Sequence, residues 1–153
     1  MKFNDAVRTD IANSVLCWLA TVDADGMPNV TPKEMFAAHG DDRLVIADIM
    51  SAGSVRNIAA QPKVCVSFVD VFRQHGFKIT GTARIVPPEA DDFADLSADL
   101  VRMAGPDFPI RNVIEVTVAR IARIRAPSYI LFPERTEDEH IARTQKTYGV
   151  RPL

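Results

Sequence analysis

The stretch Ser51-Ala52-Gly53-Ser54-Val55-Arg56-Asn57 gathers the side chains best suited to holding an anion. Small residues leading into a short helix leave backbone N–H groups unpaired at the positive end of the helix dipole, which favours a phosphate. The hydroxyls of Ser51 and Ser54 can donate, and Arg56 and Asn57 add a charge and an amide. An ordinary helix with Ser54 as its N-cap has the same pattern, and the local residues do not decide between the two. Lys33-Glu34 is the second unusual feature, following Pro32 and preceding the apolar Met35-Phe36-Ala37. It reads either as an exposed strand face or as a proline-interrupted edge that lays its backbone and Lys33 along a planar ligand. Gln74 and Lys78 flank a later hairpin and are compatible with plain loop polarity.

Other chemistries find little support. His39, His75 and His140 are far apart in the chain, and none stands at ligand spacing from a cysteine or carboxylate, so no metal site is expected. There is no G-x-S-x-G elbow, Walker loop or G-x-G-x-x-G, which argues against a serine hydrolase or a phosphate-loop nucleotide enzyme. Asp91-Asp92 and Glu137-Asp138-Glu139 read as solvated helix faces. Cys17 and Cys65 lie in apolar runs and read as buried thiols. No side chain stands out as a general acid or base, so no catalytic residue is assigned.

The elements that must position these residues follow from periodicity. Phe3, Val7 and Ile11 recur every four residues, predicting a short amphipathic helix over residues 3–13. Residues 14–22 form a buried strand, ended by Asp25-Gly26, a strong hairpin signal. Residues 28–38 return as one strand, and Pro28 and Pro32 confine it to an edge or a bulge. Strands are expected at 43–49, 64–71, 77–86 and 112–125, with the last broken in alternation near Ala119-Arg120, the mark of a bulge. Helices are expected from Ser54 to Gln61-Pro62, over 89–103 with an acidic outer face, and weakly over 134–148. Connections are too short for repeated parallel crossovers. The fold class is therefore mainly β with short helices, an antiparallel barrel in a single domain over 1–153.

Composition agrees with such a domain. The chain has 153 residues, 47% hydrophobic and 25% charged, with 18 basic against 20 acidic residues and a net charge of −2. That size can bury a self-sufficient core without disulfide or metal. The balance excludes a strongly basic nucleic-acid-coating protein, no apolar run is long enough for a transmembrane helix, and the polar N-terminus has no signal-peptide core. A cytoplasmic setting is expected, and any anion site must rest on local placement rather than on a basic surface.

Taken in order, VLCWLATVDADGMPNVTPKEMF, RLVIADIMSAGSVRNIAAQPKVCVSFVD and FRQHGFKITGTARIV resemble the pyridoxamine 5′-phosphate oxidase-related, FMN-binding split-barrel family. The resemblance runs from Ser14 to Val86 and more loosely through 112–125. It implies a six-stranded antiparallel split β-barrel with peripheral helices, forming a homodimer with FMN in the grooves between subunits. By position, Lys33, Glu34 and Met35 would run beside the flavin ring, and Ala47 and Asp48 near the ribityl chain. Ser51, Ser54, Val55, Arg56 and Asn57 would form the phosphate turn, and Gln74 and Lys78 the hairpin approaching the ring.

Two departures qualify what is implied. Family members that hold the phosphate tightly often place Arg-Lys or Lys-Thr where this chain has Gly53-Ser54, a charge that Arg56 can supply from one turn later. Trp18 is the only tryptophan, so the Trp- and Arg-rich C-terminal segment of the true vitamin B6 oxidases is missing and that substrate is disfavoured. The resemblance thus implies an FMN-dependent oxidoreductase using hydride or electron transfer to a small acceptor. The alternatives within the same fold are a non-enzymatic flavin or haem carrier, a stress-related binding module, or a deazaflavin-dependent relative.

Overall fold

The computed structural model describes residues 1–152. Helix α1 (Asp5–Asn13) is capped by the Asn4 side chain, which accepts the Val7 amide at 3.0 Å. Val7 and Ile11 of the helix enter the core together with Phe3, which precedes it, so the helix begins two residues later than the spacing predicts. Strand β1 (Cys17–Val22) turns at Gly26, whose φ of +86° suits glycine, into β2 (Pro28–Lys33). Then follow β3 (Phe36–His39), β4 (Arg43–Asp48), α2 (Ala52–Ala60), β5 (Lys63–Asp70), β6 (His75–Val86), α3 (Phe93–Ala104), β7 (Asn112–Arg125), α4 (Ser128–Leu131) and α5 (Glu137–Tyr148).

All pairings are antiparallel and build one sheet in the order β2-β1-β5-β6-β7-β4-β3. The fold class expected from the sequence holds, with seven strands rather than six. The extra strand arises because residues 28–38 are not continuous. Lys33 ends its pairing with Cys17 at one edge of the sheet, and Phe36 begins pairing with Ile46 at the other. The proline-bearing β2 is an edge, as missing N–H donors require. The bulge falls where the alternation slips: Thr80 pairs with Arg120 and Gly81 with Val118, leaving Ala119 extra.

Two apolar clusters hold the sheet curled. The inner one joins α1 to Leu19, Ile46, Val66, Phe68 and Ile79, all fully buried. The outer one packs Leu96 and Leu100 of α3 on Val45 and Val113. The outward-facing side of β2, β1 and β5 carries Val30 (56% exposed) and Trp18 (47% exposed), an apolar sheet face of the kind that marks an association surface. Among the described residues no helix is long and apolar enough to cross a membrane.

Candidate functional site

The crossing from β2 to β3 creates the site. Residues 34–35 leave one sheet edge and join the other, with the Met35 carbonyl accepting the Ala47 amide at 3.0 Å. The crossing and the start of α2 bound an open cleft of about 570 Å³ lined by Trp18, Lys33, Met35, Ala47, Ser51 and Phe108, among others. Its walls are mainly apolar, and its one ammonium is Lys33.

Lys33 is half-buried, and burial lowers its pKa against the opposing pull of Asp48. Its Nζ donates to Ser51 Oγ. Asp48 lies buried beneath the turn. One carboxylate oxygen accepts the Ser51 amide at 2.9 Å, and the other accepts Asn112 Nδ2 at 2.7 Å. Its carbonyl accepts the Arg111 amide at 2.8 Å. The end of β4, the α2 start and the crossing are thereby tied through one carboxylate.

The helix cap differs from the expectation. Ser51 is the N-cap of α2, without a side-chain cap bond, while Ser54 is buried inside the helix with its Oγ 3.3 Å from Thr31 Oγ1. Asp48 supplies the Ser51 amide with the acceptor that fixes the turn, so the helix starts one turn earlier than Ser54 alone would set it. Asn57 likewise turns toward the β1–β2 hairpin and donates to Thr21 Oγ1 at 3.0 Å. Val55 is half-buried, whereas Arg56 is exposed and its guanidinium makes no ion pair or hydrogen bond among the described residues. A Cβ at Gly53 would meet open space, so the α2 start is accessible from outside.

Lys33, Glu34, Met35, Ala47 and Ser51 therefore line one cleft, with Asp48 beneath it and Ser54, Val55, Arg56 and Asn57 on the adjoining helix. Gln74 and Lys78 do not join them within this chain. Gln74 sits in the β5–β6 turn at φ +56°, and Lys78 is exposed on β6 opposite Ser67. Sequence reasoning missed Trp18, Phe108 and Asn112. Asn112 carried a faint signal, a polar residue opening an otherwise apolar strand. Phe108 had none beyond an aromatic in a Gly-Pro-rich loop.

Two other expectations change. Glu137 is not a merely solvated face residue: it accepts Arg73 Nε at 2.9 Å and lies 3.4 Å from His75 Nε2. Asp92 likewise pairs with Arg84. Among the thiols, Cys17 is fully buried, and that burial pushes its pKa up to about 12; Cys65 is only partly buried.

Comparisons with known proteins agree with the fold. HupZ of Group A Streptococcus is 26% identical and superimposes with a TM-score of 0.69, covering 81% of this chain and 95% of its own. An FMN-binding protein from Syntrophomonas wolfei is 18% identical with a TM-score of 0.68, over 80% of this chain and 86% of its own. HutZ, the haem storage protein from Vibrio cholerae, is 16% identical with a TM-score of 0.63, over 82% and 95%. No curated protein matches the sequence. The sequence model for Pyridoxamine 5'-phosphate oxidase matches residues 3–125, four-fifths of the chain with every strand of the sheet, and the protein belongs to that family.

Proposed function

We propose that the protein binds FMN in the cleft between the β2–β3 crossing and α2, and serves as an oxidoreductase toward a small acceptor. One observation carries this reading: the apolar cleft that suits a planar ring is bounded by Lys33 and by Ser51, the N-cap of α2, the helix that carries the exposed Arg56. Met35, Ala47 and Trp18 give flat apolar walls, Lys33 a positive charge, and the accessible α2 start with Arg56 an anion site. Ser51, Ser54 and Asn57 are engaged internally, so in this reading the phosphate would rest on the Arg56 guanidinium and the backbone amides at the α2 start.

Bound FMN would supply the hydride and electron chemistry. The chain's own residues would bind and orient it and exclude water; none is assigned as acid or base. We further propose a homodimer in which the apolar sheet face bearing Trp18 and Val30 meets its counterpart. That packing would bring Gln74 and Lys78 of one subunit toward the cleft of the other. The likeness to HutZ leaves haem as the competing ligand.

The test is the absorption spectrum of the untreated protein, with its mass in solution. Flavin bands, or uptake of added FMN by a dimer at one per chain, support the reading. A Soret band points to haem, and a colourless monomer that takes up no FMN overturns it. Stopped-flow mixing with NADH or NADPH then separates enzyme from carrier: no reduction by either donor removes the oxidoreductase half.

A further inference from the structure

A second concentration of titratable groups surrounds the β5–β6 turn, where Asp70 pairs with His75. His75 is 8% exposed and touches a carboxylate with each ring nitrogen: Nδ1 is 3.1 Å from Asp10 of α1, and Nε2 is 3.4 Å from Glu137 of α5. A neutral imidazole carries one N–H and can donate to only one of two carboxylates, whereas the charged ring donates to both. We propose that His75 is a proton-operated latch, its charged form tightening α5 on the barrel and its neutral form loosening it. This inference does not rest on flavin binding.

The surroundings make α5 the element that responds. Arg73, in the turn before His75, donates to Glu137 at 2.9 Å and to Asp70 at 2.7 Å, and its carbonyl accepts the Tyr129 hydroxyl at 2.6 Å. Tyr129 stands edge-on to His75 and stacks at 4.1 Å on His140 of α5. Arg125 of β7 lies opposite His75 in register. The groups facing the ring are thus Asp10, Asp70, Arg73, Arg125, Tyr129 and Glu137, with His140 behind Tyr129. Arg73, and after it His75, holds the Glu137 carboxyl below the usual range, so Glu137 stays ionised near neutral pH. Asp10 is buried and tied into α1, but Glu137 opens α5 and is half-exposed. Losing one N–H therefore frees the α5 side more readily than the α1 side.

His140 provides a built-in contrast. It is 3% exposed and its Nε2 has no hydrogen-bond partner. Charging that ring would place an unpaired cation in the packing, so a response driven by His140 would loosen α5 at low pH. The His75 latch loosens α5 at high pH.

Amide hydrogen exchange of the full chain at pH 6.0 and pH 8.5, corrected for intrinsic rates, tests this. Protection of the α5 amides should fall about five- to ten-fold at the higher pH, the effect of a charge-assisted contact discounted for the exposure of Glu137. His75→Gln and Glu137→Gln should each flatten that dependence; Glu137 is half-exposed, so its variant keeps the fold if the buried one does not. Protection that is unchanged or rises from pH 6.0 to 8.5 overturns the latch, as does a fall that persists in Glu137→Gln.

Discussion

Lys33 and Phe36 stand three residues apart in the chain and on opposite edges of the sheet, Lys33 paired with Cys17 and Phe36 with Ile46. The sheet is thus closed by the covalent chain rather than by a ladder of hydrogen bonds. Where the ladder is interrupted, the backbone of residues 34–35 is released from strand pairing, and the gap becomes the cleft. An edge strand with unpaired N–H groups invites association, and Pro28 and Pro32 of β2 present none.

Lys33 is expected to lower stability while serving the site. Burial disfavours its ammonium in the folded chain, so the penalty is present at neutral pH and fades as pH rises toward the unfolded lysine value near 10.4. Lys33→Met should raise Tm by about 1–3 °C at pH 7, with the gain shrinking toward pH 10, and should weaken FMN about ten-fold. A thermal scan showing a lower Tm would assign Lys33 to holding Ser51 in place instead.

Arg56 is the cation left unpaired beside the α2 start. Arg56→Ala should weaken FMN by about 1.5–3 kcal/mol and leave riboflavin, which has no phosphate, nearly unchanged. Titrating both ligands by flavin fluorescence reads the difference; equal losses would remove Arg56 from the site.

The strands were legible from local signals, a buried apolar run at 14–22 and alternation at 77–86 and 112–125, and the bulge because that last alternation slips near Ala119-Arg120. The division of residues 28–38 was not. No glycine, asparagine or aspartate stands between Lys33 and Phe36 to signal that the chain changes edges, and the change is fixed by pairing with two different strands, at Cys17 before the segment and at Ile46 after it. The start of α2 was misplaced for a similar reason, since Ser54 has cap chemistry but the acceptor that fixes the turn is Asp48. Glu137 read as solvated because its partners, Arg73 and His75, lie 64 and 62 residues away. For the cleft, five of its lining residues could be named through family resemblance, but Phe108 reaches it from a loop without periodicity.

Gly81 sits at the bulge, where a Cβ would collide with the backbone carbonyl of Thr117. Because the obstacle is backbone in a paired strand, relief requires moving β7 itself. Gly81→Ala should cost about 2–4 kcal/mol in urea unfolding. A loss under about 1 kcal/mol would mean that the bulge can migrate along β7.

Asp70 closes β5 by accepting the amides of Phe72 and Arg73, both at 3.0 Å, and the Arg73 guanidinium at 2.7 Å. Burial pushes its carboxyl pKa up, but these donors outweigh it and hold the group below the ordinary range. A depressed carboxyl contributes stability that is fully present above the unfolded value near 3.9 and is lost as pH falls through the folded one. Asp70→Asn keeps the shape but loses the charge, and should cost about 1–2 kcal/mol at pH 7. Denaturant titrations from pH 7 down to pH 2.5 should show the two proteins converging below about pH 4. A gap that stays constant to pH 2.5 would assign the loss to altered turn geometry rather than to the ionised carboxylate.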